Sequence, residues 1–435
     1  MNRITRPLKD SSSLYFITWC MVASFGTYFC MYAFRKPLST GLYTDYALFG
    51  IGYKTVLIIA QVLGYMTSKF IGIKVISELR PGWRIHLILG LVLFAEVALF
   101  FFGAVPYPYN FIFLFFNGLP LGMIWGIVFS FLEGRRFTEV LSIGLSISII
   151  AASGILKTTY LEVHAWFPVI SEFWLPFVIG LIFLPFFCAF VWMLSVIPAP
   201  SEKDKQLRSE RPPMTNADKA TVLREYGIWL ICIIIVYCML STMRDFRDNF
   251  SVEIWNEIDA HWYKAILAQT EIISTVFVLL VVGSLSLIKN NIRAFWVTML
   301  VILAGVLISG GSTLLFQWKM ISGFSWMLLL GTGLFLAYVP VQVALFERMI
   351  AMFHIRANAG FFVYICDATG YLGSVAILLY KEFFARSTSW ALLLMQFSYV
   401  LAFTGCALLL LAAISLRRKC RTANQEALPA TGAVI

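Results

Sequence analysis

Long apolar runs, broken by short polar or basic segments, recur twelve times along the chain. They fall near 14–36, 54–77, 85–104, 109–131, 140–158, 174–197, 227–248, 265–288, 294–316, 324–346, 359–380 and 390–416. A helix needs about 20 apolar residues to cross the hydrocarbon core of a bilayer, and these runs are of that order. The pattern predicts an all-α integral membrane protein with twelve transmembrane helices. An even count puts both termini on one side. The one long polar segment, 198–226, opens with PAPSEKDKQLRSERPP and follows six spans. Proline and charge at this density mark a linker. The predicted organisation is a six-helix bundle over 1–197, a linker over 198–226, a second six-helix bundle over 227–416 and a tail over 417–435.

Composition sharpens this picture. Of 435 residues, 60% are hydrophobic and only 13% charged, against about 25% charged in a soluble domain. A water-soluble enzyme is excluded, and the loops leave no room for a separate catalytic domain. The net charge of +10 does not imply nucleic acid, because the cations lie in short segments between spans, where they set orientation. With the N-terminus inside, cytoplasmic segments hold 21 of the 33 Lys and Arg, and the opposite side holds 6 (Lys54, Lys157, Lys264, Lys319, Lys381, Arg386). Both termini and the linker are therefore expected in the cytoplasm, with the protein in a bacterial inner membrane. The first run has no small-residue cleavage site and reads as a retained span. The 8 Cys are scattered without metal spacing and the 4 His lie far apart, so neither a disulfide nor a metal or other cofactor is expected.

An internal repeat supports two related halves. Span 1 reads YFCMYAFR, from Tyr28 to Arg35, and span 7 reads YCMLSTMR, from Tyr237 to Arg244. The ends of spans 4 and 10 also correspond, as LEGRR at Leu132–Arg136 and FERMI at Phe346–Ile350. Charges inside the spans are the candidate chemistry, because a charge in the membrane faces a cavity or a partner. Tyr28, Tyr32 and Arg35 share one helix face, as do Tyr237, Ser241 and Arg244. Gln61, Tyr65, Ser68 and Lys69 form a polar stripe on span 2. Each cation has two readings: a ligand for an anion in a cavity, or a side chain that snorkels or pairs locally, as Arg244 could with Asp245 and Asp248. The acids Glu96, Glu271 and Asp367 either couple a proton or neutralise a buried cation.

The residues Thr27–Pro37 (TYFCMYAFRKP), Ser68-Lys69-Phe70 with Gly72, Asn117-Gly118 with Gly122 and Trp125, and Gly370–Gly373 resemble the major facilitator superfamily. Within it they look most like the organophosphate:phosphate antiporter branch. The resemblance implies two pseudo-symmetric six-helix bundles that rock around a central site. It implies that Arg35 and Arg244 grip an anionic group from the two halves and that Lys69 adds charge. Three departures from the branch stand out: Ser77–Arg80 is displaced, span 5 lacks the branch's histidine, and Asp245 and Asp248 crowd Arg244. The expected function is a secondary transporter, not an enzyme. It would act as a monomer in the lipid bilayer on a small organic anion, driven by a counter-anion or a proton. Two alternatives stay open: a carrier of a carboxylate-rich anion such as a citrate-like compound or siderophore, and a transporter-like ligand sensor.

Overall fold

The computed structural model describes Leu8 and residues 14–77, 79–132, 138–198, 216–353 and 359–426. Most of the expected linker, the end of the expected tail, and the LEGRR motif beyond Leu132 lie outside the described residues. Among the described residues, twelve helices are long and apolar enough to cross a membrane, so this is a multi-pass integral membrane protein. They are α1 (Leu14–Ala33), α2 (Tyr53–Gly72), α3 (Arg84–Ala104), α4 (Phe111–Leu132), α5 (Ile143–Trp166), α6 (Leu175–Ser195), α7 (Ala220–Asn249), α8 (Ile266–Leu285), α9 (Asn291–Gln317), α10 (Gly323–Phe353), α11 (Ala359–Phe383) and α12 (Trp390–Arg417). The face where α1 begins and α12 ends is called here the terminal face, and its opposite the far face.

Three helices depart from the sequence expectation for local reasons. α1 stops at Ala33 rather than reaching residue 36: Pro37 has no N–H to bond back to the Ala33 carbonyl and its ring crowds that group, and a 3₁₀ turn over Pro37–Thr40 follows. The carbonyls freed at that end are satisfied from neighbouring helices. Asn117 of α4 donates to the carbonyl of Phe34 at 3.0 Å, and Gln61 of α2 donates to that of Arg35 at 3.3 Å. α5 continues to Trp166, well past residue 158, because its polar residues Lys157 and Thr158 find partners in the other half. α10 is α-helical over Gly323–Pro340, π-helical over Val341–Leu345 and α-helical again over Phe346–Phe353. Pro340 has no N–H to close the ladder at that point, which admits the wider turn.

The packing follows a two-fold pattern. α1 packs on α5 and α6, α2 on α4, and α3 on α4 and α6. The second half repeats this: α7 packs on α11 and α12, α8 on α10, and α9 on α10 and α12. The two bundles meet through α5 against α8 and α2 against α11, which are the same contact under exchange of the halves. Small residues set the closest approaches, as is usual between membrane helices. A Cβ on Gly64 would lie 2.1 Å from the carbonyl oxygen of Phe115, and one on Gly118 would lie 2.1 Å from that of Gln61. The backbones of α2 and α4 therefore touch along a Gly–Gly seam.

At the far face a two-stranded hairpin, β1 (Ala47–Leu48) and β2 (Ile51–Gly52), precedes α2. Its turn reaches the other bundle, where Arg386 donates to the carbonyl of Gly50, and Thr55, in the first turn of α2, donates to Glu382 at 2.6 Å.

Candidate functional site

Between the bundles lies a cavity whose empty space, open mouth included, is about 670 Å³. It is lined by Tyr28, Tyr32, Arg35 and Lys36 from the α1 end, by Tyr65 and Lys69 of α2, and by Arg244, Asp245, Arg247 and Asp248 of α7. Glu271 of α8, Tyr338 and Gln342 of α10, and Asp367 and Tyr371 of α11 complete its polar wall.

The cations divide by the company they keep. Arg244 lies 4.2 Å above the Tyr338 ring and pairs with its neighbour Asp245 at 2.8 Å; Asp245 also accepts from Ser374 at 2.9 Å. Arg247 pairs with Glu271 at 2.8 Å and donates to the carbonyl of Met327. Lys69 of the first bundle meets Asp367 of the second at 3.2 Å. Its ammonium stands between 5.7 and 5.8 Å from the rings of Tyr65, Trp125 and Tyr364. Asp367 accepts in addition from the Tyr237 hydroxyl at 2.5 Å.

Asp248, at the end of α7, is held by two lysines of the first bundle, Lys36 and Lys157, and by Ser153. Lys157 is only 1% exposed. Lys36 lies in the turn after α1, and burial pushes its ammonium down against the pull of Asp248. Lys54 likewise pairs with Glu253 across the bundles. Both Lys54 and Lys157, counted from the sequence as far-side loop charges, are thus buried inter-bundle partners.

Arg35 differs from all of these. Its guanidinium lies 4.0 Å over the Tyr65 ring, and among the described residues no carboxylate is within ion-pair reach of it. It is 8% exposed. The cavity wall thus holds five cations (Arg35, Lys36, Lys69, Arg244, Arg247) and four carboxylates (Asp245, Asp248, Glu271, Asp367). One of those carboxylates is shared with Lys157. The lining holds more cations than carboxylates, and of those cations Arg35 has no ion pair among the described residues. A planar guanidinium held over a tyrosine ring in the cavity wall suits bidentate binding of a carboxylate or phosphate.

Most residues singled out from the sequence come together here: Tyr28, Tyr32, Arg35, Tyr65, Lys69, Arg244, Glu271 and Asp367 all line the cavity. Tyr237 stands one hydrogen bond behind it, on Asp367. Glu96 does not join them. It is buried against α6, where a Cβ on Gly180 would lie 2.2 Å from its Oε2, and neither carboxylate oxygen has a hydrogen-bond partner. The grouping of Asp248 with Arg244, suggested by their spacing, is also corrected: Asp248 faces the lysines of the other bundle. Sequence reasoning missed Tyr338 and Gln342. Their signal was two polar groups four residues apart in an apolar run.

Several solved structures share this architecture. The POT family transporter PepTSo superposes with a TM-score of 0.60 at 14% identity, over 92% of this chain and 97% of its own. The nucleoside transporter NupG gives 0.59 at 14%, over 92% and 99%. A bacterial homologue of the human lysosomal transporter Spinster, inward-facing and unoccupied, gives 0.56 at 11%, over 93% and 96%. The chain therefore has the twelve-helix fold of major facilitator-type transporters. No curated protein matches its sequence. Within that fold, the chain belongs to the family described as "Family of unknown function (DUF5690)", which matches residues 37–419.

Proposed function

We propose that the protein is a secondary active transporter for a small organic anion, working by alternating exposure of the central cavity. The observation that carries this reading is Arg35, a buried guanidinium in a cavity richer in cations than in carboxylates, with no carboxylate within ion-pair reach among the described residues. An unpaired charge at membrane depth is costly, and an anionic ligand would remove that cost. Arg244, the equivalent residue of the second repeat, lines the same cavity and would complete the grip if the anion draws it from Asp245. Lys69 would add attraction, with Asp367 free to take a proton when it does. Tyr28, Tyr32, Tyr65 and Tyr237 would shape and support the site. The cargo is organophosphate-like, in keeping with the resemblance of the span 1, 2, 4 and 11 motifs. A counter-anion or proton supplies the driving force. The excess of basic residues in the segments on the side of the termini, which grows once Lys54 and Lys157 are set aside as buried partners, supports cytoplasmic termini.

Reconstitution in proteoliposomes tests this. Uptake of organophosphates and carboxylates by the wild-type protein is compared with uptake by Arg35→Lys, and inorganic phosphate is added as competitor. The lysine variant keeps the charge and loses the fork, so uptake is expected to fall to near background in a protein with an unchanged melting temperature. Near-normal uptake by Arg35→Lys would overturn the assignment. Competition by phosphate would support phosphate-type cargo over carboxylates.

A further inference from the structure

We propose that Gln342 reads a hydrogen-bond donor on the transported anion, so that the carrier selects organic anions bearing a hydroxyl or N–H group over analogues that lack it. This rests on the reading of the cavity as an anion site and names the substrate class more narrowly.

Gln342 lies in the π-helical turn Val341–Leu345, directly after Pro340, and lines the cavity. π-Turns inside α-helices recur at functional sites. The side-chain amide donates to the Tyr237 hydroxyl and the Tyr338 hydroxyl, each at 2.8 Å, and approaches Asp367 Oδ1 at 3.4 Å. The amide orientation follows from Tyr237, whose proton is committed to Asp367 at 2.5 Å. Only lone pairs remain on that hydroxyl. Turning the amide over would set Oε1 against those lone pairs and against a carboxylate, so the NH₂ must face them.

The consequence falls on the other end of the amide. Gln342 Oε1 is buried and has no hydrogen-bond partner, although its amide nitrogen has three neighbours. A second cavity acceptor, Glu271 Oε2, is also buried without a partner. Buried acceptors in folded proteins are nearly always engaged. The residues lining the cavity therefore include a guanidinium without an ion pair on one bundle and, on the other, two residues with a buried acceptor that has no partner among the described residues. A bare monoanion would satisfy only the first. An anion that also carries a donor would satisfy both and tie the two bundles together. A net hydrogen bond of this kind is worth about tenfold in affinity.

The test is binding to the purified full-length protein of two matched pairs: 3-hydroxybutyrate against butyrate, and glycerol phosphate against propyl phosphate. The hydroxylated member of each pair is expected to bind the wild-type protein about tenfold more tightly. Gln342→Met is expected to abolish that preference while still binding the deoxy members. Tyr338→Phe removes an acceptor of the amide nitrogen and leaves Oε1 in place, so it should keep the ratio whatever it does to affinity. Equal wild-type affinities within each pair, or a preference that survives Gln342→Met, would overturn the role of Gln342 and leave the anion site standing. Equal wild-type affinities would overturn that role even if the methionine variant does not fold. Failure of all four anions to bind would overturn both readings.

Discussion

Replacing Asp248 by asparagine should loosen the far face of the protein. Asp248 accepts from Lys157 at 2.7 Å and is also held by Lys36 and Ser153, all from the first bundle. The asparagine variant leaves two buried ammonium groups against a neutral amide. Breaking a buried pair in this way costs about 3–5 kcal/mol, but only while the bundles stay shut. Parting them at the far face lets water reach both lysines and removes most of that cost. The balance between shut and open far faces should therefore move by a similar amount, on the order of 10²–10⁴-fold. A single cysteine in place of Ile149, which lines the cavity, reports the change in a background whose native thiols do not react. An impermeant maleimide applied to the far side should label it at least about tenfold faster when Asp248 is asparagine. Asp248→Glu keeps the charge and should stay close to the wild-type rate. An unchanged labelling rate in a well-folded Asp248→Asn protein would refute the latch.

Three further outcomes follow from the same geometry. Arg244→Ala strips Asp245 of its ion pair and leaves it only Ser374 and more distant cations, so thermal stability should fall by about 3–5 kcal/mol and recover in the double variant with Asp245→Ala; a stable Arg244→Ala protein with wild-type anion affinity would remove Arg244 from the site. A Cβ on Gly154 would lie 2.2 Å from the carbonyl oxygen of Leu267, so Gly154→Ala should force α5 and α8 apart and lower stability by about 1–3 kcal/mol in thermal melts, and a silent variant would contradict that packing. A cysteine at Ser387 should react with an impermeant reagent in intact cells while one at Ser201 is protected, and the reverse pattern would invert the topology.

The spans and their pairing into halves were legible because bilayer thickness imposes one length on every crossing, and that length survives in the run of apolar residues. Charges inside such runs were also informative: Arg35, Lys69, Arg244 and Asp367 reach one cavity because few other places in a membrane protein tolerate them. What could not be read was the identity of partners. Glu96 looks like the other intramembrane acids, but helical periodicity does not say which neighbour its face meets, and that neighbour is Gly180. Asp248 lies four residues from Arg244 and so suggested a local pair, whereas its partners sit in the other half of the chain. Gln342 escaped for a different reason. The π-turn after Pro340 adds a residue to the helix, so the 3.6-residue period loses phase where the polar side chain enters the cavity.

The two arginines of the repeat occupy equivalent positions but differ electrically. Arg244 travels with its own counter-charge on the adjacent residue, while Arg35 has no carboxylate within ion-pair reach among the described residues. In a polarised membrane each elementary charge displaced through the whole field experiences about 2.3 kcal/mol per 100 mV. Rocking of the empty carrier would move the uncompensated guanidinium through part of that field, and rocking with an anion bound would move less net charge. The membrane potential would then act mainly on the return of the empty carrier, favouring one orientation of the vacant cavity and setting from which side the next anion is captured.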